Sequence, residues 1–367
     1  MSKKTLVAVA VLSAFAGSAF AADVTVYGLV DEGLLFQNVK KNSDKSENAL
    51  SLESGIAGAS RWGIKGTEKL GNGYSIAVNL EGKFTADDGA MGTSGQIFDR
   101  ESHLQLNTPY GNVRVGRTGM LGGGVGGGLI AGQTNPFGVV YKTAGALNVF
   151  QGAAQRASNS IRYESPSMSG FRVYGQYSNA TGLSTDYSEG DDAKPSSQRD
   201  RYAAVGATYR GGQLRVAAAV DRYLFNDVSQ KDRDDNVNYS VAANYDFGDV
   251  KIYGGYQYAK AMRASVMGAN AQKADGQVVM LGISGEVAGG TLMASAAYAY
   301  VDDTVGTTKY ELDGWQAAVG YKYPLSKRTF VYSALSYRDT DLTKTTNKVT
   351  QTETKTTQAM VGMQHKF

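Results

Sequence analysis

Bond-making chemistry needs nucleophiles, acid–base groups or metal ligands in combination, and this sequence offers few of them. Its 367 residues include no Cys, and His103 and His365 are the only imidazoles. Thiolate zinc sites, iron–sulfur clusters, disulfide frameworks and cysteine nucleophiles are thereby excluded. Neither histidine has a serine or carboxylate at motif spacing, so no catalytic triad, metal ion or cofactor is expected. The runs Gly122–Gly124 and Gly126–Gly128 invite comparison with a phosphate cradle, but no Lys-Ser/Thr follows them. What remains is electrostatic. Arg61, Lys65, Arg114, Arg117 and Arg162 lie inside or at the ends of segments of alternating polarity, and Lys142 and Arg156 are the only charges between Thr118 and Asn159. Such groups attract or repel ions without forming bonds.

The elements that must position these charges show in the composition and the periodicity. With Lys+Arg 37 against Asp+Glu 34, the net charge of +3 is no nucleic-acid signature. Gly is abundant at 46 residues, yet 5 Pro and a 10% aromatic share exclude collagen and low-complexity disorder. Two lysines in Met1–Lys4 precede the apolar run Thr5–Ala16 and the small-x-small triplet Ala19-Phe20-Ala21. That run is too short to span a bilayer, so residues 1–21 read as a cleaved signal peptide and the chain as exported.

No later stretch is apolar enough for a transmembrane helix. A period of two takes its place: Tyr74, Ile76, Val78 and Leu80 alternate with Ser75, Ala77, Asn79 and Glu81. Val237 to Phe247, Leu214 to Val220, Val250 to Tyr258 and Trp315 to Tyr323 follow the same rule, so each segment is a strand with one apolar and one wet face. Seven short Gly/Pro/Asn/Asp turns alternate with eight longer polar stretches, 37–58, 87–97, 119–157, 181–199, 226–235, 263–273, 303–309 and 341–352, which predicts sixteen strands. The spacing also suits propeller blades, but no blade signature is present. A secreted sandwich needs fewer strands. Ala359, Val361, Met363, His365 and Phe367 share one face of the last segment, and an aromatic end to an amphipathic strand suits membrane assembly. The expected fold is all-β, a 16-stranded antiparallel transmembrane barrel over residues 22–367, because strands in hydrocarbon must close into a ring to satisfy their backbone groups. A ring of that size leaves an aqueous channel.

At this point the residues resemble a family. Val24-Thr25-Val26-Tyr27-Gly28-Leu29-Val30-Asp31, Ser60-Arg61-Trp62-Gly63-Ile64-Lys65-Gly66 and Gly111-Asn112-Val113-Arg114-Val115-Gly116-Arg117 are similar to Gram-negative general porins of the neisserial and β-proteobacterial type. So are Asn159-Ser160-Ile161-Arg162-Tyr163, Leu325-Ser326-Lys327-Arg328-Thr329 and Gln364-His365-Lys366-Phe367. Six such segments in order span the mature chain. The resemblance implies a homotrimer in the outer membrane, each barrel a passive pore for ions and small hydrophilic solutes. It also implies a third extracellular loop, here 119–157, folded inward to narrow the lumen, and contacts with lipopolysaccharide, outer-membrane lipids and the assembly machinery. In this role Phe367 is a membrane-assembly signal.

The tip Asn135-Pro136-Phe137-Gly138 resembles a Pro-Glu-Phe-Gly tip of enteric relatives without its acid. No Asp or Glu occurs from Thr118 to Asn159, where family members commonly carry carboxylates. By parity Arg61, Lys65, Arg114 and Arg162 face inward. Strict alternation from Val113 and Val115 aims Arg117 at lipid, at a cost of about 2–4 kcal/mol at the midplane, so a strand end or bulge is expected at Gly116. Asp31, Glu81 and Glu101 face inward and restore some negative potential. The expected constriction is net positive, preferring anions or at most weakly selective. A sugar- or phosphate-specific channel is the alternative, ahead of a barrel-based enzyme or adhesin. The acids at 186–192 and 227–235 read as solvated outer loops, with divalent-cation bridging to lipopolysaccharide as a lesser reading.

Overall fold

The computed structural model describes residues 23–145, 155–181, 199–225, 234–262 and 273–367. The expected signal segment 1–21 and most of the acidic stretches at 186–192 and 227–235 lie outside the described residues. The first strands are β1 (Asp23–Lys41), β2 (Glu47–Ser54), β3 (Arg61–Gly71), β4 (Tyr74–Lys83), β5 (Glu101–Thr108) and β6 (Gly111–Gly119). After the third loop come β7 (Arg156–Glu164), β8 (Phe171–Ser178), β9 (Arg201–Gly211), β10 (Leu214–Leu224), β11 (Asn236–Asp246) and β12 (Val250–Met262). The longest ribbons close the order: β13 (Ala274–Val287), β14 (Gly290–Val305), β15 (Thr308–Pro324), β16 (Thr329–Thr345) and β17 (Val349–Lys366).

Neighbours in sequence pair antiparallel, and β1 pairs with β17 from Leu29↔Lys366 to Lys41↔Thr354, which closes the ring. The barrel therefore has sixteen positions although seventeen strand segments are described. The surplus arises because β2 and β3 share one position. β3 pairs with β1 across Asp23–Leu29 and β2 across Glu32–Val39. Between them residues 55–60 fold away from the ladder, with Gly55 at φ +80° and Ile56 buried.

Alternation becomes sidedness. Val26 is 65% exposed on the outer face, whereas Leu29 on the inner face is 3% exposed. Outward rows such as Leu104 and Leu106, Ile252 and Tyr256, and Val279, Leu281 and Ile283 present apolar side chains to the membrane. Near the loop end the outer face carries Tyr239, Tyr298 and Trp315, and near the turn end Phe171, Phe247 and Tyr323. These are the two aromatic belts of a spanning barrel.

Three expected loops are shorter than the sequence suggested. Strand pairing continues through most of 37–58, 303–309 and 341–352, leaving turns at 42–46, 306–307 and 346–348. Once a strand rises out of the hydrocarbon, both its faces meet water and the apolar alternation disappears, while the hydrogen-bond ladder persists.

The closing seam depends on a glycine. Gly28 and Phe367 exchange backbone hydrogen bonds of 3.1 Å in both directions, and a Cβ on Gly28 would overlap the Phe367 ring. Replacing Gly28 with Leu is expected to displace that ring and loosen the β1–β17 seam. The check is the yield of heat-modifiable, compact barrel on electrophoresis, which should fall several-fold while Leu29→Ile, on the opposite face, leaves it near the parent level.

Candidate functional site

The third loop turns into the lumen and adheres to the wall. It leaves β6 at Gly119, and Met120, Leu121, Leu129, Ile130 and Ala131 are buried against Tyr202, Ala204, Ala217, Ala219, Ala242 and Met280 of β9 to β13. Where the loop lies, the inward rows carry small residues, Ala204, Gly206, Ala217, Ala219 and Ala242, which let a backbone lie close to the sheet. The tip then runs on toward β15 to β17. Asn135 donates to the Met280 sulfur at 3.1 Å, and Phe137, 1% exposed, packs edge-on to Tyr141, which packs edge-on to Tyr332. Tyr141 N–H donates to the Ile56 carbonyl at 2.6 Å, so the loop meets the excursion between β2 and β3. Thr143 bonds Ser336 and Gln358 beyond it. Burying five large apolar side chains contributes on the order of 10 kcal/mol before the cost of ordering the loop.

The wall facing this loop is basic. Arg61 lies 3.4 Å and Arg100 2.6 Å from the Glu81 carboxylate, which also accepts from the Tyr27 hydroxyl at 3.0 Å. Lys65 is exposed on the inner face, its ammonium 5.2 Å from the Tyr27 ring centre. Arg156 lies 3.7 Å from Glu101, a buried carboxylate that also accepts from Thr118 at 2.9 Å and lies 3.3 Å from His103 Nδ1. Three guanidinium groups thus share two carboxylates, and the loop opposite has no acid.

Arg114 and Arg162 are directly paired on β6 and β7 and neither forms an ion pair among the described residues. Their expected place on an open constriction is corrected: they clasp the root of the loop. Arg114 donates to Thr118 at 3.0 Å and Gly126 O at 3.4 Å, and Arg162, 5% exposed, donates to Gly127 O at 2.7 Å. Gly127 has φ +87°, a left-handed conformation that favours glycine.

Arg117 escapes the lipid-facing parity. The β6–β7 register shifts between Gly116 and Thr118, Gly116 adopts φ +129°, and the guanidinium reaches Asp99 O at 2.7 Å and Ser158 at 2.8 Å. Asp31 faces inward but not into the water. It is completely buried and accepts from Ala57 N–H at 3.1 Å, Tyr332 at 3.0 Å and Gln364 at 3.0 Å, so it fixes the 55–60 excursion instead of lining the pore. Lys142 is turned to the far side of the loop, 2.9 Å from Glu53 on β2. Glu101 is screened beneath the loop root, beside Gly126. In the tip, Asn135 and Phe137 are buried and only Pro136 and Gly138 keep part of their surface.

Parity misses Arg100. It immediately precedes β5, and alternation from inward Glu101 would send it to lipid; instead it sits in the bend, where its N–H donates to Glu81 O at 3.1 Å and its side chain to the same residue's carboxylate. Tyr27 and Tyr332 lie on inward rows too, and their hydroxyls hold Glu81 and Asp31.

Residues 8–343 match the model of a family described as Gram-negative porin. The chain is 28% identical over 413 residues to an outer membrane porin protein of Bordetella pertussis, covering 100% of both chains. It is 27% identical over 344 residues to the major outer membrane protein P.IB of Neisseria gonorrhoeae, covering 89% of this chain and 91% of that one. Among solved structures, the anion-selective porin from Comamonas acidovorans superposes with a TM-score of 0.65 at 25% identity, covering 95% of this chain and 100% of that chain.

The clasp at the loop root gives a prediction of its own. Arg162→Ala removes a charge-assisted hydrogen bond worth about 1.5–3 kcal/mol. Open-channel current noise should rise and the temperature of heat modification should fall, whereas Arg172→Ala, whose ion pair with Glu164 is exposed, should change neither.

Proposed function

Because the chain belongs to the Gram-negative porin family, we propose that its constriction prefers anions and that this preference is set by one wall. The protein is an outer-membrane general diffusion porin, passing ions and small hydrophilic solutes through a water-filled lumen. The observation that carries the finer reading is the charge asymmetry across that lumen: on the wall Arg61, Arg100 and Arg156 share Glu81 and Glu101 and Lys65 stands beside them, against a loop without carboxylates. Arg156 Nε and Nη2 are buried with no hydrogen-bond acceptor among the described residues. A low-dielectric ring concentrates such a field, raising the local density of anions.

In the same reading residues 1–21 are a signal peptide removed on export, 119–157 is the constriction loop, and the barrels assemble as homotrimers in contact with lipopolysaccharide. Phe367 serves the assembly machinery. Against a barrel-based enzyme stands the family, whose members are porins. The alternative of a sugar- or phosphate-specific channel rests on the same arginines and predicts saturable conductance.

Two measurements check the reading. In a KCl gradient the reversal potential should show chloride more permeant than potassium, and strong potassium preference overturns the idea. Arg61→Glu together with Arg100→Glu should reduce or invert the preference, since one charge at 4 Å is worth about 1 kcal/mol even in water, roughly fivefold in local ion density. Deleting residues 122–145 should raise single-channel conductance; an unchanged value would mean that the loop does not narrow the path.

A further inference from the structure

We propose that a pocket on the loop-end side of the constriction binds small organic anions, carboxylates with a short apolar tail, before they reach the narrow zone. The inference rests on the channel reading but not on the charge preference of the constriction.

The pocket is a cavity of about 490 Å³ on the inner wall of β14 to β17, reaching Lys41 at the end of β1, within the size range of small-molecule sites. Its height follows from the register. Thr143 of the loop docks on Ser336 and Gln358, and the next inward residue of β16 toward the loop end is Arg338, which lines the cavity. A solute entering from the loop side therefore passes Arg338 first.

The lining is chemically lopsided. Arg338 forms no hydrogen bond or ion pair among the described residues, and no carboxylate lines the cavity. The nearest acids along β16, Asp339 and Asp341, belong to the outward row and pair with Trp315 and Asp313 of that row. Gln316 lies directly across the ladder from Arg338, is 2% exposed, and neither atom of its amide has a partner. A buried amide without partners is uncommon and costly, and it points to a ligand that supplies them. A carboxylate suits the set: its two oxygens match the planar fork of Arg338, and one of them accepts from Gln316 Nε2, whereas the Thr340 hydroxyl is already donated to Thr354 O at 3.2 Å. Leu312 and Leu342, on the same inward rows, offer surface to an apolar tail that an inorganic ion lacks.

The test uses the purified protein in planar bilayers with butyrate as probe and butyramide as its uncharged counterpart. Butyrate added on the loop side should reduce the current saturably, and butyramide should not. Arg338→Gln should raise the half-blocking butyrate concentration about tenfold, with KCl conductance within about twofold of the parent because the residue stands off the constriction. If Arg338→Gln fails to insert, Arg338→Lys, which keeps the charge and loses the fork, should still weaken block several-fold, as should Gln316→Ala. Linear current without saturation, equal block by butyramide, or an unchanged half-blocking concentration in the variants would overturn the proposal. Potassium preference in KCl with butyrate block intact would remove the constriction reading and leave the pocket standing.

Discussion

An amide or carbonyl group in hydrocarbon has no water to bond with, and an unmade backbone hydrogen bond there costs several kcal/mol. The rest of the molecule follows from satisfying that condition with strands. The ladder must close, so β1 must meet β17, and the two ends of the described chain are joined by reciprocal bonds between Gly28 and Phe367. Closure fixes a cylinder whose outer rows are apolar and whose inner rows are free to be polar. It also makes register the carrier of chemistry, because a residue's parity decides whether its charge meets lipid or water.

Inside, a second constraint acts. A cylinder of sixteen strands encloses more water than its inner rows can organise, and the third loop takes up part of that space by bringing its own apolar residues. Met120, Leu121, Ile130 and Phe137 find an inner wall made unusually smooth by Ala217, Ala219, Ala242, Ala318 and Ala334. The loop is therefore held by packing along β9 to β17 and by two arginines at its root, not by ion pairs across the lumen. That attachment consumes Arg114 and Arg162, turns Lys142 toward Glu53, and leaves Arg61, Arg100, Arg156 and Lys65 as the charges that a passing ion can feel. The asymmetry of the pore is a by-product of which wall the loop chose.

The same geometry explains why polar groups collect above the loop. Beyond the docking point of Thr143, the buried Gln316 and the half-buried Arg338 border a cavity, while their neighbours one step toward the turn end, Ala318 and Ser336, are buried beside the loop. One turn of the loop thus separates a packed zone from a vestibule.

Fold class, strand number and the facing of Arg61, Lys65, Glu81 and Glu101 were legible in the sequence, because a period of two is local and a membrane forbids exceptions within its thickness. The signal weakened where the membrane ends, and so 37–58, 303–309 and 341–352 read as loops although their ladders continue. Whether an inward residue meets water was not legible. Asp31 and Arg162 have the right parity and are buried, one under the 55–60 excursion and the other under Gly127, because burial depends on what folds over a wall from far along the chain. Arg100 and Arg117 were decided by tertiary contacts too, since a bend and a bulge break the count that parity relies on. Alternation is a property of neighbours along one strand and the sequence alone carries it; what covers an inward residue comes from segments far along the chain, as Tyr332 reaches Asp31 at a separation of 301, and only the closed barrel brings them together.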